Sequence, residues 1–555
     1  MSSISVTASG PAADAVAAHV PALVEAGFAS RLFARDATLW GPDAESESAI
    51  RLSWVGLPRS SRPLVGEVAA IRDELTSQGL DHVVLCGMGG SSLAPEVICA
   101  TAGVPLTVLD SSDPDYVRAA IADRLERSIV VVSSKSGSTV ETDSQRRAYE
   151  AAFTQAGIDP ATRIVIVTDP GSPLDKESRE KGYRVVNADP DVGGRYSALT
   201  AFGLVPSGLA GVDIEALLDD AESVADLLAA DDDGNPALRL AAAMAGTDPL
   251  RDKLVLVDEG SGIVGFADWA EQLIAESTGK QGTGVLPVVV SDDADPEVSH
   301  PAADVTVVHL VSLDGDGDGD GDSPQVDPAS SAVFVGGSLG AQMLLWEVAT
   351  AAAGRLLGIN PFDQPDVESA KKAARALLDE GLGSASEPDA VDGSVEIHAI
   401  GGAEGWLGDA TTVADALSAL FAQVDPEAGY VSIMAYLDRL EDAPLAASRR
   451  AVATRTGRPT TFGWGPRFLH STGQFHKGGP RVGVYLQLTA APLDDLAIPG
   501  REFTFGDFIA SQAAGDAAVL ADDDHRRPVL HLHLTDHGAG LEQVTAALGV
   551  TTADA

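Results

Sequence analysis

The chain has 555 residues, too many for one hydrophobic core, so two or three domains are expected. Its 37 Lys+Arg stand against 82 Asp+Glu, and the net charge of −45 argues against a nucleic-acid backbone or an anionic membrane surface as partner. A small anion is not excluded, because a local cluster of donors can outweigh a distant field.

The N-terminal stretch MSSISVTASGPAADAV lacks a basic segment followed by an apolar core, so no secretory signal is expected. Residues 1–60 read as a helical segment. After it, three blocks alternate β-branched runs with helical patterns, the signature of parallel sheets covered by helices. The first block (61–248) predicts strands near Val83–Cys86, Leu106–Leu109, Ile129–Ser133, Ile164–Val167 and Arg184–Val186. The second (249–388) predicts strands near Leu254–Val257, Val285–Val290, Thr306–Val311 and Val333–Val335, then a long helix from about Leu339. The third, a C-terminal α/β region (389–555), predicts Val395–Ile400, Val431–Tyr436, Val482–Leu488 and Val529–Leu534. Cys86 and Cys99 are the only cysteines, too few for a disulfide framework, which fits a reducing compartment. The longest apolar stretch, Ala332 to Ile359, is interrupted by Gln342, Glu347 and Arg355 and predicts no membrane span. The run at Asp314–Asp322 imitates the start of a calcium loop, but Gln325 stands where a bidentate glutamate is needed, so it reads as a solvated insert.

In open parallel sheets ligands lie beyond the carboxyl ends of the strands, where loops enter helix N-termini. Two loops there stand out. LCGMGGSSLAPEV offers Gly87, Gly89 and Gly90 for close backbone approach, with Ser91 and Ser92 at the next helix start. SSKSGSTVET offers Ser134, Ser136, Ser138 and Thr139 as neutral donors, which suits a phosphate. Neither is a nucleotide fingerprint: the first lacks the last glycine of G-x-G-x-x-G, the second the G-K-[ST] ending. Capping alone would account for either loop by itself; two hydroxyl-rich loops on adjacent strands are the more telling sign.

FADWAEQLIAESTGKQG predicts a helix with Gln272 and Glu276 four apart, on a different face from the core stripe. Glu276 falls in its last turn, where the negative dipole end and burial raise a carboxyl pKa and sharpen it as a base. DVGGRYSAL presents Arg195 after two glycines, able to aim a guanidinium at an anion. GINPFDQPDVESAKKAARALL enters a helix with Gln364 and Lys371 seven apart, hence on one face. GPRFLHSTGQFHKGGP places His470 and His476 in a Gly-rich loop without an apolar pattern, and their spacing does not fit a zinc site.

As a set, GMGGSSLAP, SSKSGSTVET, VGGRYS, QLIAESTGK and SLGAQMLLWEVATAAAGRLLGINPFDQPDVESAKK resemble, in order, segments of the glucose-6-phosphate isomerase (phosphoglucose isomerase) family, from about Val83 to Lys372. The resemblance implies an α/β fold of two sugar-isomerase domains, each a parallel sheet flanked by helices in an α-β-α sandwich. It implies that Ser134, Ser136 and Thr139, with Lys135 beside them, bind a sugar phosphate, and that Gly90 and Ser91 contact the substrate. Arg195 would stabilise an enediolate and Glu276 would move the proton, with Gln272 beside it; Gln364 and Lys371 take the places of the family's F-D-Q segment. The usual family histidine lies in a G-x-x-x-x-H segment between the glutamate and the lysine, whereas here the only similar segment, GPRFLH, follows both. Gly465 and His470 carry that match, Gln474 extends it, and His476 is the second choice. The C-terminal block is similar to that of some bacterial isomerases and transaldolase–isomerase fusions, and is expected to complete the site in altered chain order.

The expected activity is interconversion of glucose 6-phosphate and fructose 6-phosphate by ring opening and a cis-enediol, without metal or redox cofactor. A cytoplasmic homodimer with sites drawing on both subunits is the expectation from the resemblance. A broader isomerase accepting mannose 6-phosphate and a non-catalytic sugar-phosphate sensor are the rival readings. No basic helix-turn-helix candidate supports the sensor, and the combination of Glu276, Lys371 and a histidine favours catalysis.

Overall fold

The computed structural model describes residues 4–313, 329–380, 387–522 and 526–550, and the Asp314–Asp322 insert lies outside them. The chain opens with strand β1 (Ile4–Ser9), where the sequence pattern suggests a helical segment. The first sheet follows: β2 (His82–Gly87), β3 (Thr107–Leu109), β4 (Ser128–Ser133), β5 (Ile164–Thr168) and β6 (Arg184–Asn187), in the order β3-β2-β4-β5-β6 and parallel throughout. Every residue of β2 and β4 is buried, as continuous apolar runs covered on both faces require.

The second sheet comprises β7 (Lys253–Glu259), β8 (Leu286–Val289), β9 (Val305–Val311) and β10 (Ala332–Gly337), which are parallel, with β1 added at the edge. β1 runs antiparallel to β10, from Ile4 opposite Gly337 to Ser9 opposite Ala332. The alternation Ile4, Val6, Ala8 suits such a half-buried strand, but its partner lies beyond the entire first sheet in the chain, so only tertiary structure reveals the pairing.

The third block differs from an all-parallel expectation. Its sheet is β11 (Ala390–Asp392), β12 (Val395–Ile400), β13 (Tyr430–Tyr436), β14 (Thr460–Trp464), β15 (Gly483–Ala490) and β16 (Val529–Leu534), ordered β11-β12-β16-β15-β13-β14. β11 and β12 pair antiparallel, as do β12 and β16, while the rest are parallel. The cause is local: only Gly393 and Ser394 join β11 to β12, too short for a crossover, and Gly393 takes a φ of +58° in the turn.

One apolar core runs from Ile4 to Phe362 and unites the first two sheets. Another joins Val255, Val257 and Leu286 of the second sheet to Tyr430, Met434 and Tyr485 of the third. The third sheet is thereby packed against the second. Among the described residues no helix is long and apolar enough to cross a membrane.

Candidate active site

The site assembles where the loops beyond β2 and β4 meet a helix of the second block and a loop of the third. After β2 the backbone turns at Gly89, whose φ is +56°. A Cβ at Gly89 would come within 2.7 Å of Gln272 Nε2 and 3.1 Å of the His470 carbonyl oxygen. At Gly90 it would collide with the carbonyl oxygen of Gly194, the residue before Arg195. Only glycine allows these approaches, so this loop is the seat against which the other elements close.

The hydroxyl-rich loop after β4 leads into the helix Val140–Gln155. Thr139 occupies its N-cap position but makes no side-chain capping bond, and Ser92 makes none at the helix Leu93–Thr101. The capping explanation of these hydroxyls therefore fails. Ser134 Oγ donates to Thr139 Oγ1 at 3.4 Å and accepts from the Gly137 N–H at 3.2 Å, while Ser136 and Ser138 hydroxyls bond each other at 2.7 Å. The loop is closed on itself as a cradle of hydroxyls at a helix start.

Gln272 and Glu276 lie on the helix Phe266–Thr278, as the spacing predicts, and Gln272 Nε2 stands 3.4 Å from Glu276 Oε2. Both side chains are buried. Arg195 is buried beside them, with Nη1 3.4 Å from Glu276 Oε2. Its remaining donors are fixed: Nε to Ser277 Oγ (2.9 Å), Nη1 to Gln364 Oε1 (2.6 Å), and Nη2 to the carbonyls of Pro361 and Asp363 (2.9 Å each). Burial pushes the Glu276 carboxyl above the usual carboxylate range, against the pull of the Arg195, His470 and Lys371 charges.

His470 ends a short 3-10 turn, Arg467–His470. Its carbonyl accepts from Gln272 Nε2 at 2.7 Å, and its ring Nε2 stands 3.1 Å from Glu141 Oε1. Glu141, in the first turn beyond Thr139, also accepts from Gln512 Nε2 at 2.7 Å. Burial raises the Glu141 carboxyl, but the hydrogen bond and charge of His470 outweigh it and hold Glu141 below the usual range. A connected path thus runs from the hydroxyl loop through Glu141, His470 and Gln272 to Glu276. Lys371 acts electrostatically on both Glu141 and Glu276.

Glu141 is the residue of this cluster that the sequence reading missed. Its signal was present in the STVET stretch: a carboxylate in the first helical turn that the structure buries against an imidazole.

Three expectations change. Lys135 anchors its loop instead of facing the cradle, since its ammonium sits 2.8 Å from Asp169 Oδ2 and donates to the Pro190 carbonyl at 2.8 Å. Gln364 and Lys371 do not share a helical face, because the helix starts only at Val367 after Pro365, and Gln364 reaches Arg195 from the preceding loop. His476 belongs to the core: its Nε2 meets Ser432 Oγ at 3.2 Å, its Nδ1 meets the Tyr430 hydroxyl at 3.0 Å, and its ring stacks on Tyr430. Burial, then Lys477 and Arg527, push it far below the usual histidine range and keep the ring neutral. Gln474 caps the Val367 helix, accepting from the Asp366 and Val367 N–H groups.

No protein-family model matches the chain. A glucose-6-phosphate isomerase of Synechococcus elongatus is 30% identical over 355 residues, 55% of this chain and 67% of that protein. Another, from Synechococcus sp. strain JA-3-3Ab, is 30% identical over 349 residues, 53% of this chain and 65% of its own length. The chain thus spans about two thirds of the length of the curated relatives it matches. Among solved structures, a hypothetical protein of Thermus thermophilus superposes with a TM-score of 0.57 at 24% identity, covering 67% of this chain and 100% of that one. A glucose-6-phosphate isomerase from Chlamydia trachomatis gives a TM-score of 0.50 at 20% identity, covering 65% and 79%. At these identities the structural likeness bears on the fold alone.

Proposed function

The chain belongs to the glucose-6-phosphate isomerase family, and from that premise we propose that it interconverts glucose 6-phosphate and fructose 6-phosphate through a cis-enediol. The observation that carries this reading is the single cluster of buried Glu276, Arg195 and Gln272 with half-buried His470 next to the hydroxyl cradle. The sugar's phosphate lies in the cradle, held by Ser134, Ser136, Thr139 and the N–H groups that open the helix Val140–Gln155. The substrate chain then extends past Gly90 and Ser91 toward Glu276.

A carbon acid beside a carbonyl ionises poorly in water, so the site must supply a positioned base and stabilise the enediolate. Glu276 carries the proton between C1 and C2, and its raised pKa makes it a stronger base. Arg195, immobilised by Ser277, Gln364 and the carbonyls of Pro361 and Asp363, presents a preorganised positive charge to the developing oxyanion. His470, oriented by Glu141, and Lys371 handle the ring oxygen and its proton. Gln272 Oε1 is buried and has no hydrogen-bond partner among the described residues, which leaves an acceptor for a sugar hydroxyl. The cytoplasmic homodimer with sites drawing on both subunits, expected from the resemblance, is part of this reading.

The test is a coupled assay on the full chain with fructose 6-phosphate, reading formation of glucose 6-phosphate. Turnover is expected; its absence with folded protein overturns the reading.

A further inference from the structure

The loop that delivers His470 comes from the third block, yet the histidine must be placed against groups of the first two. Its ring and its carbonyl are each held by one bond, to Glu141 and Gln272. At the start of the same turn stands a cluster that the chemistry above does not use. Arg467 Nη2 lies 2.5 Å from Glu96 Oε2 and Nη1 2.5 Å from Asp110 Oδ2. Arg439, just beyond β13, grips the same two carboxylates, at 3.0 Å to Glu96 Oε1 and 3.2 Å to Asp110 Oδ1. Asp110 is fully buried and the other three side chains are at most 28% exposed.

We propose that Arg467 is a positioning residue for His470, latching the turn that carries it onto the first sheet through Glu96 and Asp110. Arg467 and His470 are the two ends of one 3-10 turn, so a shift of the guanidinium displaces the imidazole. Glu96 sits in the first turn of the helix Leu93–Thr101, immediately after the Gly89–Gly90 seat, and Asp110 directly follows β3. The latch is therefore fixed to the same rigid element that receives the substrate. Arg439 approaches both carboxylates from a separate strand end, bonding Glu96 Oε1 and standing 3.2 Å from Asp110 Oδ1, so Glu96 is oriented independently of Arg467. On the far side of His470, Ser471 Oγ donates to Glu271 Oε1 at 3.1 Å, tying the loop to the Phe266–Thr278 helix as well. The guanidinium fork matches two carboxylates at once, a geometry that a lysine cannot reproduce.

The proposal rests on His470 acting in the reaction, and a double-mutant cycle separates the two ideas. In the full chain, Arg467→Met is expected to lower kcat about 10²-fold, the scale of a misplacement of about 1 Å, with KM for fructose 6-phosphate changed less than about threefold. In a His470→Ala background the same change is expected to cost less than about twofold more, because there is no imidazole left to place. Equal losses in both backgrounds would show a merely structural role and overturn the proposal, as would an unchanged kcat in Arg467→Met. An unchanged kcat in His470→Ala would instead remove the reading of His470 itself. Should Arg467→Met fail to fold, Glu96→Gln enters the same cycle, with the same non-additivity expected on a smaller loss.

Discussion

The first and second sheets share one strand order yet serve the site from opposite ends of their helices. Taken from one edge, the first runs β3-β2-β4-β5-β6 and the second β8-β7-β9-β10-β1, so in each the second strand, first, third and fourth follow in turn. In the first, the loops after β2 and β4 lead into helix N-termini, rich in N–H groups and glycine. In the second, the helix after β7 presents its C-terminal turn and places Glu276 there. The positive end of a helix suits an anion, and the negative end raises the pKa of a base. On the proposed function, one architecture used twice divides binding from proton transfer.

The sharpest way to break this division is Glu276→Gln. Loss of turnover by about 10³-fold is expected, with competitive sugar-phosphate binding retained by calorimetry. Retained turnover would remove the chemistry from the second sheet altogether. Next, Ser134→Ala combined with Thr139→Ala should raise KM for fructose 6-phosphate more than about tenfold, from two lost bonds of about 1.5–3 kcal/mol each to a charged group, with kcat nearly kept. A fall in kcat at constant KM would blur the division. The two histidines sharpen it within the third block: His476→Ala should lower stability by about 1–3 kcal/mol in denaturant melts while kcat of the folded enzyme is kept, opposite to His470→Ala.

The smallest effect concerns pH. Burial alone would raise the Glu96 carboxyl, but Arg467 and Arg439 hold it at about 2, below its ordinary 4.5. A depressed carboxylate stabilises the fold above its unfolded value, and that contribution fades as pH falls from about 4.5 toward 2. The difference in thermal midpoint between the parent chain and Glu96→Gln should thus narrow between about pH 6 and about pH 3. A constant difference would mean that the latch contributes through packing instead of charge.

What could be read from the sequence follows from the range of the interactions involved. The parallel strands of the first two sheets announce themselves because β-branched runs buried on both faces carry their own signal. Gln272 and Glu276 were legible because i and i+4 fix a helical face regardless of partners. The ion pair of Lys135 with Asp169, just after β5, was not legible because no local pattern encodes that pair. His470 could be separated from His476 only by surroundings: one imidazole faces Glu141 from another block, the other is enclosed by Tyr430 and Ser432. Arg467 was invisible for the same reason, since its partners Glu96 and Asp110 belong to the first block.

The edge strand β1 has a consequence for how the molecule comes into being. It leaves the ribosome ahead of the first sheet, but its partner β10 appears only after that whole sheet has been synthesised. The first sheet pairs strands near one another in sequence, whereas β1 pairs across the greatest chain separation of any strand pair in the described sheets, a non-local contact of the kind that slows folding. Closing the second sheet at this edge therefore requires two segments separated by more than 300 residues of chain.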